Sequence, residues 1–468
     1  MEVTIPHLTA SAATAEVAEF VSGLRWEALT PGIRNAALRQ SIDTIAALVA
    51  GARNEIVEAV GGLMGADARS VPGFAANLRP ETNAYLAGIA AHAFEVDDGY
   101  RGGSVHPGCV VISAALAACR VKPVSGVRFL EGVVAGYETV IAIAGACHPA
   151  MRERGFHPTG AVGPFGAAAV VTKLLGLPPA QIRSALGLAA SGSSGLFAFL
   201  NDGADVKRLH AGHAAREGLL AALLAERGVA GPQRVLECRD GFAQAFAGSP
   251  ERADRIALPP AAEFGITQCY IKPYPCCRHL QPALQALIEI VGEHDLLPQE
   301  VRSIEVETYS IAAAHGGTGW ADLGSAQLSF PYVLAVGLHE RGVRLEHFSQ
   351  QARASDRTRE VRQKLTIRAT AEMDALYPRQ RPARVTLVTG RGTFGKFMGE
   401  AAGSPEFPLS EAEVDLKFDG LVAPVLGQEA AHRLRRDLRG LESVQDVASV
   451  TGWIGRKGAM LASLEEVG

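Results

Sequence analysis

His92-Ala93-Phe94-Glu95-Val96-Asp97-Asp98-Gly99-Tyr100-Arg101-Gly102-Gly103-Ser104-Val105-His106-Pro107-Gly108 lies between two apolar runs with helical spacing, Glu81–Ala93 and Val110–Arg120. Histidines, carboxylates, an arginine and four glycines crowd into this short stretch. Folded chains seldom concentrate charge between core-forming segments without a partner or a purpose. Helix, charged loop, helix is the local plan, and substrate chemistry is expected in the loop.

Working outward, the same plan recurs. Apolar residues repeat at helical spacing from Ala15 to about Ala50, with Pro31 after Thr30 as a first-turn proline. Glu131–Cys147 reads as a helix whose Gly132, Gly136 and Gly145 permit close helix approach. A polar turn, Arg154 to Gly160, precedes an Ala-rich helix at Gly163–Leu175, and Gln181–Ala190 is another helix. A third polar stretch, Asn201 to His213, precedes the apolar helix Gly218–Arg227. Past Gly265 the texture changes. Val301–Ser310, Lys364–Thr370 and Arg384–Val388 alternate as strands do, and Thr389 to Gly392 reads as a hairpin connection to Thr393–Met398. Ser410-Glu411-Ala412-Glu413 is a capping-box signature, and the helices after it return to the first domain. The expected architecture is mainly α with an α+β part: a large all-helical domain built from both chain ends, residues 1–268 and 402–468, and a smaller inserted α+β domain, residues 269–401.

At 468 residues the chain is long enough for two cores, and 48% apolar against 6% aromatic residues favours closely packed helices. The net charge of -4, without a block of like charge, excludes a nucleic-acid or membrane footprint and leaves a small molecule as the expected partner. Met1 to Leu8 has no basic region followed by an apolar core, and Glu138 interrupts the apolar run Val133–Cys147. Neither a secretory signal nor a membrane span is therefore expected. Seven scattered cysteines read as reduced thiols in a cytoplasm rather than a disulfide framework.

Several motifs have plainer readings. Gly390 to Lys396 spells a phosphate loop, but Phe397 stands where Ser or Thr is needed and a strand follows, so it is a hairpin. Ser191 to Gly195 has the wrong glycine spacing for a nucleophile elbow and reads as a helix junction. His92, Glu95, Asp97, Asp98 and His106 lack any standard metal-ligand spacing, and Cys276-Cys277 has no second pair for zinc. Metal binding there stays a minority alternative with no metal assigned, and the two thiols read as packing residues.

Taken together, the polar segments resemble the MmgE/PrpD family. The matching stretches are His92 to Cys109, Gly155-Phe-His-Pro-Thr-Gly160 with the helix to Leu177, Gly203 to Gly218, Gly231-Pro232, Lys272-Pro-Tyr-Pro-Cys-Cys277 and Ser325 to Tyr332, in family order. The resemblance implies a discontinuous helical domain with an inserted α+β domain, a homodimer, and a cofactor-free active site in a cleft between domains. It places His106 and His157 on family active-site histidines, Lys207 on the lysine ahead of the Ala-Gly helix, and Lys272 on the Lys-Pro-Tyr-Pro lysine. Family substrates are small polycarboxylates, so the lysines would bind carboxylates and His106 would exchange a proton at the reacting carbon. Asp97 is expected to position, and Glu95, Arg101, Arg208, Arg278 and Tyr274 to contact substrate. Two departures fall in the loop: Glu95-Val-Asp97-Asp98-Gly99 replaces Asp-apolar-Asp-Asp-Thr, and the run to His106 is one residue longer, with Gly108 in place of the usual Ser after Pro107.

The expected activity is a cofactor-independent lyase, dehydratase or decarboxylase, on a di- or tricarboxylate of the 2-methylcitrate or aconitate kind. An epimerase of an imino- or amino-dicarboxylate needs the same proton transfer without loss of a leaving group. A non-catalytic binding protein on the same fold would be expected to lose one of His106, His157, Lys207 or Lys272, and all four are present.

Overall fold

In the computed structural model the chain is described over residues 12–454, apart from 68–69, 76, 201–204 and 261–262. The N-terminal octapeptide and Asn201 to Gly203 therefore lie outside the described residues. Two compact units emerge. The first comprises residues 1–93, 97–269 and 414–468, and the second residues 94–96 and 270–413. Residues 402–413 thus go with the second unit, whereas the sequence reading placed them in the helical one; the capping box at Ser410 and Glu413, with Ser410 N donating to Glu413 Oε2 at 2.7 Å, marks where the next helix starts rather than where the domain changes.

The first unit is helical. Its site-bearing helices are α1 (Pro31–Gly51), α2 (Pro80–Ala91), α3 (Gly108–Ala118), α4 (Gly126–Cys147), α5 (Pro158–Leu175) and α6 (Val206–Glu226). Thr30 caps α1 through Ile33 N, with Pro31 in the first turn. Helix α5 is buried along its whole length and packs between α4 and α6, while α6 also packs on α2 and α3. The α4–α5 crossing depends on small residues: a Cβ on Gly166 would lie 2.2 Å from Val140 Cγ2, and one on Gly136 3.0 Å from Gly166 O and 2.6 Å from Val111 Cγ1 on the neighbouring α3. Gly145 does not share that role, since a Cβ there would meet nothing within 4 Å.

The chain's C-terminal segment belongs to the same unit. Gly126 N donates to Val444 O and Val447 N to Val124 O, both at 2.8 Å, and Lys417 pairs with Asp43 on α1.

By length and composition α4 could cross a membrane, contrary to the expectation that Glu138 interrupts it, but 89% of its apolar window is buried inside the protein. Its two acids serve the fold. Glu131 Oε1 accepts from Trp26 N at 2.8 Å, and the Glu138 carboxylate accepts from Gly265 N and Ile266 N at 2.8 and 2.9 Å. Burial lifts Glu138 to about 7.

Two helices begin earlier than the sequence suggests. The segment around His157 forms the N-terminus of α5, and the segment around Lys207 that of α6, instead of preceding them as polar turns. Hydrophobic spacing misplaces such starts because it registers apolar residues, and here the first turns carry the polar chemistry.

In the second unit a four-stranded sheet is ordered β2-β1-β3-β4, from β1 (Val301–Thr308), β2 (Leu365–Ala369), β3 (Ala383–Thr389) and β4 (Gly392–Met398). β1 runs parallel to β2 and antiparallel to β3, and β3–β4 is a hairpin with Thr389 opposite Gly392. The sequence Gly390 to Lys396 is thus a turn and a strand, and Lys396 pairs with Glu289 at 2.6 Å. Ile304 and Val306 of β1 stand opposite Leu387 and Val385 of β3, and together they face a core that includes Leu284 and Leu287 of helix α7 (Gln281–Glu293).

Candidate active site

In the first unit the loop residues close on themselves. Tyr100 N donates to Val105 O at 2.8 Å, and Ser104 takes a left-handed φ of +51° to make the turn. The loop delivers His106 to the start of α3. Asp98 is fully buried and its Oδ1 accepts from Gly108 N at 3.0 Å. Burial and the neighbouring Asp97 raise Asp98 to about 8, so it holds a proton at neutral pH and is a fastener rather than a base. A Cβ at Gly108 would lie 2.3 Å from Thr44 Oγ1 and 2.6 Å from Asp98 Oδ1. A serine therefore has no room at this position in this chain.

His92, the residue that ends α2, donates from Nδ1 to Asp97 Oδ2 at 2.6 Å, with both side chains fully buried. Asp97 Oδ2 is also 3.3 Å from His106 Nδ1, which lies 2.6 Å from Asp98 O. A carbonyl only accepts, so His106 carries its proton on Nδ1 and Nε2 is left as the exchanging nitrogen. The His106 side chain is 15% exposed.

The imidazoles continue as a chain. The His92 ring is 4.8 Å from that of His106 and 6.2 Å from that of His157, and His157 Nδ1 is 3.0 Å from His210 Nδ1. His157 is the N-cap of α5, its own N–H donates to Gly195 O at 3.0 Å, and Phe197 and Phe199 stand edge-on to its ring. The Ser191 to Gly195 run is accordingly a junction that seats this histidine. Burial holds His92 and His210 at about 4 and pushes His157 well below the ordinary histidine value. The positive charge of Lys207, in the first turn of α6, acts on all three. Arg208 is occupied with structure: Nε donates to Ala93 O at 2.9 Å and Nη1 to Asp205 at 2.7 Å. Arg101 opens the short turn Arg101–Gly103 and is partly exposed.

The second unit groups a different set. Lys272 is 1% exposed and its Nζ donates to Glu95 Oε2 at 3.0 Å, with Glu95 held at a left-handed φ of +54°. Glu95 thus reaches the lysine of the Lys-Pro-Tyr-Pro run. Arg278 braces the backbone, donating to Ala401 O and Ala402 O, each at 2.8 Å, with Glu400 at 3.5 Å. Tyr274 accepts from Gln281 through its carbonyl, and burial raises its phenol to about 12. Cys276 is a packing thiol, as expected. Cys277 hydrogen-bonds His315, which draws its thiol below the ordinary value despite burial.

The structure therefore brings Asp97, His106, His157 and Lys207 together in the first unit and Glu95 and Lys272 in the second. Sequence reasoning left out His92 as a ring partner and His210; the latter's place in a His-x-x-His run on a helix was the available signal. His92, Asp97 and His106 also have donor atoms within 4.8 Å of one another, near enough for a divalent cation. The short contacts of His92 Nδ1 to Asp97 and of His106 Nδ1 to Asp98 O give those nitrogens protein partners instead.

Residues 15–254 match the MmgE/PrpD N-terminal domain and residues 274–442 the MmgE/PrpD C-terminal domain. The chain belongs to the MmgE/PrpD family. Among its relatives in the family, it is 28% identical over 415 residues to the cis-aconitate decarboxylase-like protein oryM of Aspergillus oryzae, covering 82% of this chain and 84% of that one. It is 27% identical over 367 residues to cis-aconitate decarboxylase of Aspergillus terreus, covering 73% and 74% respectively. The human cis-aconitate decarboxylase is 26% identical over 396 residues, covering 80% and 79%. His106 and His157, the two histidines that the motif resemblance singles out, both stand in the imidazole chain.

Proposed function

We propose that this chain is a lyase that decarboxylates or dehydrates a small di- or tricarboxylate of the aconitate type. The reading is carried by His106: the histidine beside buried Asp97 is itself partly exposed, and its Nδ1 is committed to a carbonyl, which leaves Nε2 for substrate. The decarboxylases among the relatives support this substrate class.

In decarboxylation the C–C bond to the leaving carboxylate breaks with release of carbon dioxide, its electron pair delocalises onto the conjugated carboxylate, and His106, entering this step as the imidazolium with a second proton on Nε2, delivers that proton to the carbon that keeps the negative charge. In dehydration His106 Nε2 takes a proton from the carbon beside a carboxylate while the hydroxyl group leaves as water with a proton supplied by solvent. Lys207 and Lys272 hold carboxylates as charged donors. Helices α3 and α5 begin just after His106 and His157, and α6 begins one residue before Lys207, so their N-terminal dipoles favour an anion there. His157, kept neutral, serves as a hydrogen-bond partner. The enzyme is proposed to be a cofactor-independent homodimer of the cytoplasm, and light scattering of the purified protein checks the dimer.

Incubation with cis-aconitate, citrate, 2-methylcitrate and iminodisuccinate, read by mass spectrometry and by proton NMR in deuterated water, tests the reading. Loss of carbon dioxide, or loss of water with a new alkene signal, supports it. Deuterium exchange with inversion and no leaving group would make the chain an epimerase, and turnover of none would sink the lyase assignment.

A further inference from the structure

In the second unit one buried cation stands out from the others. Lys272 faces Glu95 at 3.0 Å, and Arg278 faces Glu400 at 3.5 Å and donates to two backbone carbonyls. Arg381 is also buried, at 8% exposure, yet its guanidinium makes no hydrogen bond or ion pair among the described residues, and its Nε is an orphan. Its backbone N–H donates to Glu400 Oε1 at 3.1 Å, and the Glu400 charge also acts on its guanidinium without a hydrogen bond between them.

Aromatic rings surround the guanidinium. The Tyr270 ring centroid is 5.7 Å from Arg381 Cζ, and Tyr270 is shared with Arg278 at 5.1 Å. Tyr309 and Tyr377, stacked at 4.6 Å, are within its electrostatic reach. Tyr309 OH hydrogen-bonds His279 Nδ1, and the partly exposed His279 feels the charges of both Arg381 and Lys272. Arg381, His279 and Lys272 are therefore neighbours in charge, Glu95 is engaged by Lys272, and the single carboxylate of Glu400 is shared between Arg278 and Arg381.

An enclosed guanidinium without a hydrogen-bonded counter-charge is costly. A planar fork of donors matches a carboxylate bidentately. We propose that Arg381, with His279 beside it, is a carboxylate-binding position that selects substrates with an additional carboxylate. The inference rests on the polycarboxylate reading above. It goes beyond it by assigning recognition to a residue outside the family motifs.

The test uses tricarballylate, a saturated tricarboxylate that cannot react, titrated calorimetrically into the full chain and into Arg381→Met and Arg381→Lys. At least a tenfold loss of affinity is expected in Arg381→Met and a smaller loss in Arg381→Lys, which keeps the charge but not the fork. Thermal unfolding supplies the second readout. Tricarballylate should raise the Tm of the wild type and leave that of Arg381→Met unmoved, while the unliganded Tm of Arg381→Met stays at or above the wild-type value. Unchanged affinity with a lowered Tm would make Arg381 a brace against the tyrosines and overturn the proposal, as would a wild type that does not bind tricarballylate. If Arg381→Met does not fold, at least a threefold loss in Arg381→Lys is the expected result and equal affinity the overturning one. Arg381-dependent binding together with no turnover of any panel substrate would remove the lyase reading and leave this position standing.

Discussion

Four imidazoles and one carboxylate gather in the first unit, and burial keeps three of those imidazoles neutral. The second unit instead buries permanent charges, Lys272 and Arg278 against Glu95 and Glu400, with Arg381 beside them. Low dielectric acts on both clusters with different outcomes. A histidine responds to burial by giving up its proton, whereas a guanidinium stays charged and must find an anion. One cluster is suited to moving protons and the other to holding carboxylates.

Kinetics offer the sharpest way to break that contrast. His106→Gln is expected to lower kcat at least about a hundredfold with KM little changed, as befits a general acid or base; steady-state rates on the accepted substrate decide it. Lys272→Met should act on KM instead. Losing a charge-assisted hydrogen bond of about 1.5–3 kcal/mol corresponds to a rise of roughly tenfold to a hundredfold, and a fall in kcat alone would erase the distinction between the clusters.

Stability measurements sharpen it further. Gly108→Ser should destabilise the first unit by roughly 1–3 kcal/mol, the usual result of forcing atoms into a packed site, because the new Cβ meets Thr44 and Asp98. Chemical denaturation reads that number. A pH-dependent effect is expected from Asp98→Asn. The folded chain keeps a proton on Asp98 up to about 8 against an ordinary value of 3.8. Its contribution to stability is therefore full below the ordinary value and is lost as pH rises toward about 8. The Tm of the Asn variant, taken relative to wild type, should climb between about pH 5 and about pH 8. A flat difference would mean that Asp98 is ionised in the fold.

Much of the site was legible because chemistry-bearing residues cluster in short motifs. His106, His157, Lys207 and Lys272 all stand in such runs, and the capping box at Ser410 and the hairpin at Gly390 are local signals that local geometry honours. His210 was harder to read, since its partner is His157, 53 residues away, and only the packing of α5 on α6 sets their rings together. Arg381 was hidden in a polar Arg-Gln-Arg run that looks solvated, and the folding of β3 beside Glu400 buries it.

By itself, then, the amino-acid order determined the helices, the strand alternation, the two-part organisation and the polar segments, because helix periodicity, strand alternation and turn chemistry are properties of neighbours along the chain. Tertiary structure alone decided protonation and pairing. Whether Asp98 keeps its proton, which nitrogen of His106 is left to react, and which cation has its carboxylate depend on burial and on contacts between residues far apart in sequence. Those energies do not exist until the helices have closed around the charges.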